Sequence, residues 1–232
     1  MKKETPSVKN VKAILIDIDN TLLDFDKSAE MSMRMAYSFY NLDCPDDIFT
    51  TFKGINDELW LKIERGEMTR ETLHKIRWNT IFKLYGTQFD GETFEKKFID
   101  NLFDCAVPVI GAKDILEYLS KKYAIYGASN AFYNQQVNRL KIADMLQYFK
   151  GLFVSETVGF TKPEKGFFDY CFSNIPYTKD ETAMIGDSLS ADIDGGKDYG
   201  LTTCWFNFSG QKISAPKADF IVYKLEDIKK IF

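Results

Sequence analysis

Apolar positions along the chain follow two rhythms. Short runs bounded by turn residues recur at 11–18 ("VKAILIDI"), 123–128 ("YAIYGA"), 151–155 ("GLFVS"), 182–186 ("TAMIG"), 201–206 ("LTTCWF") and 219–223 ("DFIVY"). Continuous apolar runs of this length predict strands buried on both faces. From residue 123 onward they alternate with helix-length segments at 132–148, 164–174 and 189–198, and another helix is predicted at 111–121. Strand alternating with helix predicts an α/β fold, a parallel sheet with helices on both faces joined by right-handed crossovers.

Residues 26–104 break that rhythm, because no convincing strand falls among them. In "TRETLHKIRWNTIFKLYG", Thr69 can cap a helix and Gly86 can end it. Leu73, Ile76, Thr80 and Leu84 share one face of that helix and Trp78, Phe82 and Tyr85 another, so it is expected to pack on two sides. A second helix over 46–64 carries Ile48, Phe52, Ile55, Leu59 and Ile63, and a third over 27–41 carries Met31, Met35 and Phe39, a stripe expected to be core. A fourth is predicted at 92–104. The chain therefore reads as a polar tail at 1–10, an α/β core of 11–25 and 105–232, and an inserted helical bundle at 26–104.

Composition narrows the function. A chain of 232 residues with 45% hydrophobic content can bury a substantial core. Its net charge of −4 and lack of a basic block argue against polymeric nucleic acid as a partner. Nothing approaches the roughly 20 apolar residues that span a bilayer, and "MKKETPSVKN" has no apolar stretch behind its lysines, so a cytoplasmic protein without a membrane partner is expected. Cys44, Cys105, Cys171 and Cys204 are scattered without paired spacing and are read as free thiols.

Ligands of open parallel sheets gather beyond the carboxyl ends of the strands. The first predicted strand ends in Asp17, Asp19 and Thr21, the second in Ser129 and Asn130; Lys162 follows the third, and Asp187 and Asp192 follow the fourth. Clustered carboxylates repel one another unless a cation lies among them, and a set of oxygen donors suits Mg²⁺ together with a substrate phosphate. Such a site allows Asp17 to attack phosphorus and Asp19 to protonate the leaving oxygen and then to take a proton from water. Asp194 and Asp198 read as solvated helix surface, and His74, the sole histidine, lies far from the strand ends.

"DIDNT", Ser129, Lys162 followed by Pro163, and "GDSLSAD" together resemble the four ordered motifs of the haloacid dehalogenase (HAD) superfamily of phosphohydrolases. D-x-D-x-T alone arises by chance in a chain of this size on the order of a few per cent of the time, so the ordered set carries the resemblance. It implies a Rossmann-like α/β core with a C1-type helical cap, and a Mg²⁺-dependent phosphomonoesterase working through an aspartyl-phosphate. By the same resemblance Asp17 is the nucleophile, Asp19 the acid/base, and Ser129, Asn130 and Lys162 hold the phosphoryl group. Asp17, Asp187 and the backbone carbonyl of Asp19 would bind the metal, with Asp192 as a further ligand or support.

"TLLDF", "GDSLSADIDGG" and "FKGINDELWLKIERGEMTRETLHKIRWNTIFKLYG" resemble the YjjG/YfnB-like branch, which implies a 5′-nucleotidase acting on a small-molecule phosphate monoester. "SNA" at 129–131 departs from the branch, where glycine often stands in place of Ala131. One or two of Phe39, Tyr40, Phe49, Phe52, Trp60 and Trp78 are expected to stack on a nucleobase. The alternatives are a phosphatase of a small sugar or organic-acid phosphate such as phosphoglycolate, or a non-catalytic binding protein on the same scaffold.

Overall fold

The computed structural model describes residue 8, residues 10–214 and residues 216–232. Most of the 1–10 tail lies outside the described residues. The chain divides into two compact units, one running from Phe25 to Val107 and the other comprising the chain up to Asp24 together with Pro108–Phe232.

The larger unit is built on six parallel strands, β1 (Ala13–Ile16), β2 (Ala124–Ser129), β3 (Phe149–Val154), β4 (Thr182–Gly186), β5 (Thr202–Phe206) and β6 (Phe220–Val222), in the order β3-β2-β1-β4-β5-β6. All four residues of β1 are buried, as a strand covered on both faces requires. Leu15 enters a cluster with Phe153, Phe167, Phe168, Cys171 and Met184. The connections run to opposite sides on either side of β1, so a switch point opens at the carboxyl end of this strand. Leu23 bridges Pro108, which brings together the points where the chain leaves and rejoins this unit.

The predicted strands are all present, with β3 starting two residues early. The segment at 132–148 is not one helix. A helix over Tyr133–Ile142 stops before Asp144, which adopts a left-handed conformation (φ 53°), and a separate 3₁₀ turn follows at Leu146–Tyr148. The four cysteines form no disulfide, and burial pushes the thiols of Cys171 and Cys204 up to about 12.

The smaller unit has four helices, α1 (Phe25–Phe39), α2 (Ile48–Glu64), α3 (Arg70–Tyr85) and α4 (Gly91–Phe103). Thr69 caps α3 by accepting from the Thr72 amide at 3.2 Å, and Gly86 ends it in the left-handed region. Tyr37, Phe52, Trp78, Phe82, Phe94 and Phe98 form an aromatic core. Phe52 and Trp78 are thereby spent on packing, with their rings stacked 5.6 Å apart.

Two expectations from helical spacing are corrected. Met31, Met35 and Phe39 are 51%, 54% and 61% exposed, and α1 buries Ala29, Met33, Ala36 and Tyr37 instead. On α3, Thr80 and Leu84 face solvent, while Arg77 lies inside beside Leu73, Trp78, Ile81 and Phe82. Arg77 donates to Glu95 at 2.5 and 3.2 Å and to Asn56 at 2.6 Å, and its guanidinium lies within cation–π range of the rings of Phe52 and Phe98, at 5.2 and 5.0 Å. His74 bonds Glu95 at 2.7 Å, which gives the sole histidine a place within the bundle.

Candidate active site

The site forms at the switch point. Beyond β1, the Asp17 amide continues the ladder by donating to the Ile185 carbonyl at 2.9 Å, which fixes where this carboxylate emerges. Asn20 follows in a left-handed conformation (φ 58°), and its amide donates to the Leu23 carbonyl at 2.6 Å, turning the chain back. Beyond β4, the Trp205 indole donates to the Asp187 carbonyl at 2.9 Å and holds the second acidic loop. Ser188 then caps a wide, π-type helix over Leu189–Asp194 by accepting from the Ala191 amide.

Lys162 is buried and joins these loops. Its ammonium donates to Asp17 at 2.8 Å, to Asp192 at 2.6 Å and to the Ala128 carbonyl at 2.6 Å. Asn130 fixes the Lys162 backbone from both sides: the Lys162 amide donates to Asn130 Oδ1, and Asn130 Nδ2 donates to the Lys162 carbonyl, each at 2.8 Å. The Asn130 side chain, expected from the sequence to hold phosphate, is committed to this clamp.

Asp17, Asp187 and Asp192 bring carboxylate oxygens within 4.8 Å of one another. Asp192 also accepts from the Ser188 amide at 3.1 Å, and Thr21 donates to Asp187 at 3.3 Å. Gly186 makes room for this arrangement, since a Cβ there would lie 2.1 Å from Asp192 Oδ2. Burial pushes the Asp17 carboxyl up to about 7; Lys162 opposes the shift, and Asp192 and Asp19 add to it. Burial, with Asp17 and Asp192 close by, raises Asp187 well above its ordinary value. Burial by itself would push the Lys162 ammonium down, but Asp17 and Asp192 outweigh it and hold it above its ordinary range.

One ammonium therefore faces three carboxylates, and the excess charge is what a hard divalent cation neutralises. The donor set fits Mg²⁺.

The Asp19 side chain lies outside this triad. It turns to Gln136 and Arg139, two buried residues that sequence reasoning did not single out. The available signal was a polar pair on "YNQQVNRLKI", a helix expected to lie against a sheet. Asp198 pairs with Lys217 on the surface, as expected of a solvated residue.

The comparisons with known proteins agree with this geometry. A family model of haloacid dehalogenase-like hydrolases matches residues 11–200. The chain belongs to this family. Within the HAD hydrolases it falls in the YjjG/YfnB-like branch. It is 34% identical to the HAD-hydrolase YfnB of Bacillus subtilis over 97% of this chain and 96% of that protein. The crystal structure of YfnB, which has magnesium bound, superposes with a TM-score of 0.90 over 96% of this chain and 99% of that one. Pyrimidine 5′-nucleotidase PynA of Streptococcus pneumoniae is 30% identical, covering 84% of each chain. Pyrimidine 5′-nucleotidase YjjG of Escherichia coli is 28% identical, over 84% of this chain and 85% of its own. Among the described residues of this HAD hydrolase, no helix is long and apolar enough to cross a membrane.

Proposed function

We propose that the protein is a Mg²⁺-dependent phosphatase of nucleoside 5′-monophosphates that works through an aspartyl-phosphate on Asp17. The observation that carries this reading is the triad Asp17, Asp187 and Asp192, two of whose carboxylates accept from the buried Lys162, together with Ser129 at the end of β2. The nucleotide preference draws its support from PynA and YjjG, which makes pyrimidine nucleotides the first substrates to test.

In this mechanism an Asp17 oxygen attacks phosphorus while the bond to the leaving oxygen breaks, and Asp19 gives its proton to that oxygen. Asp19 then takes a proton from the water that attacks the phosphoryl-aspartate, which releases phosphate and restores Asp17. Lys162 and Ser129 hold the phosphoryl oxygens, Lys162 supplying positive charge where negative charge gathers. Asn130 contributes by fixing the Lys162 backbone. Asp17, Asp187 and the Asp19 carbonyl, with Asp192 as ligand or support, would hold Mg²⁺, which would supply the positive charge that lets an anionic nucleophile approach the phosphate.

The test is phosphate release across nucleoside 5′-monophosphates, sugar phosphates and phosphoglycolate, with and without Mg²⁺. The best nucleotide is expected to exceed glucose 6-phosphate or phosphoglycolate in kcat/KM by about tenfold or more. Preference for a sugar phosphate or phosphoglycolate over every nucleotide would overturn the nucleotidase reading and leave the phosphatase chemistry in place.

A further inference from the structure

The two residues that hold Asp19 come from one helix, α6 (Tyr133–Ile142), numbered after α5 (Ala112–Ser120) in chain order. Arg139 Nη1 donates to Asp19 Oδ1 at 2.5 Å, and Gln136 Nε2 donates to Asp19 Oδ2 at 2.5 Å. The same Gln136 nitrogen lies 2.9 Å from Ser129 Oγ, and Gln136 Oε1 accepts from Arg139 Nη1 at 3.4 Å. Arg139 is 1% exposed and Gln136 is fully buried. A guanidinium and an amide at such positions give up their hydration, where apolar side chains would pack without that cost. Here they fix both oxygens of one carboxylate and connect it to a hydroxyl.

Deepening the phosphatase reading, on which the inference rests, we propose that Gln136 and Arg139 are positioning residues for the acid/base step. Arg139 fixes one oxygen of Asp19, and Gln136 ties the other to Ser129. The proton donor and the hydroxyl that holds the phosphoryl group are thus set as one unit. Proton transfer depends steeply on such placement, and a displacement of about 1 Å can cost on the order of a hundredfold in rate.

Leaving-group dependence separates this role from a merely structural one. A nucleoside leaves as an alkoxide and needs the Asp19 proton, whereas 4-nitrophenolate departs without one. kcat/KM reports the chemistry through leaving-group departure and excludes the later hydrolysis of the phosphoryl-aspartate. Arg139→Lys keeps the charge and loses the planar fork; Gln136→Met keeps the volume and loses both hydrogen bonds.

Each variant, assayed in the full chain with Mg²⁺, is expected to lose about tenfold or more in kcat/KM on uridine 5′-monophosphate and less than about threefold on 4-nitrophenyl phosphate. Placed on Asp19→Asn, neither should cost more than about another twofold, since both act through the same carboxylate. Equal losses on the two substrates, or losses that multiply on Asp19→Asn, would overturn the inference. Should Arg139→Lys fail to fold, Gln136→Met carries the same comparison. Wild-type protein inert toward both phosphates would instead overturn the phosphatase reading beneath it.

Discussion

The two units bury charge in opposite ways. In the helical bundle, Arg77 meets Glu95, with Asn56 and His74 completing the hydrogen bonds, and the charges balance. Burial by itself would raise the Glu95 carboxyl, yet Arg77 and His74 outweigh it and hold it below its ordinary range. At the strand ends, three carboxylates share one ammonium, and Asp17 is pushed up to about 7. A balanced buried network fits a structural role. An unbalanced one holds its carboxylates ionised only when a further cation joins them and otherwise draws protons, so the imbalance itself marks the site.

The largest expected effect comes from removing the proposed nucleophile. Asp17→Asn should lower phosphate release by at least about a thousandfold, equivalent to roughly 4 kcal/mol of barrier. Its melting temperature in EDTA should not fall, because the substitution removes one of three mutually repelling carboxylates. Turnover near the wild-type rate would break the contrast at its functional end.

Next in size is the bundle. Arg77→Met leaves the Glu95 carboxylate buried with its main counter-charge gone, at a cost of about 3–5 kcal/mol in urea unfolding. A loss under about 1 kcal/mol would show that the buried pair is not what stabilises this unit.

Mg²⁺ sharpens the comparison from the other side. At a hundredfold excess over its Kd it should stabilise the wild type by about 2.7 kcal/mol, seen as a rise in melting temperature. Asp187→Asn should abolish most of that rise and Arg77→Met should keep it. An equal rise in all three proteins would mean that the ion binds elsewhere.

The smallest effect is on acid stability. The native Glu95 pKa lies below its unfolded value, so its stabilising contribution is complete above the ordinary glutamate range and is lost as pH falls through the native value. Between roughly pH 5 and 3 the wild type should therefore lose stability more steeply than Glu95→Gln, by about 1 kcal/mol per pH unit at most. Parallel curves would remove Glu95 from the account.

Much of the architecture was legible because its signals are local. Continuous apolar runs marked all six strands, and Thr69 and Gly86 delimited α3 through the chemistry of one side chain and one backbone conformation. The acidic residues stood out because charge directly after a buried strand is unusual. Periodicity failed on α1, which carries apolar residues on two faces. Spacing shows that Met31, Met35 and Phe39 align, as do Ala29, Met33, Ala36 and Tyr37, but not which set meets a neighbouring helix.

By itself, the sequence determined the order of strands and helices and the chemical types that end the strands, because backbone preferences and apolar patterning act over a few residues. Only the tertiary structure decided which charges are buried together. Arg77 lies 18 residues from Glu95, Lys162 lies 145 from Asp17, and Arg139 lies 120 from Asp19. An arginine or glutamine read along the chain looks like solvated surface. It becomes part of a core or a site only when a partner far away in sequence compensates its lost hydration, and that compensation exists only in the folded chain.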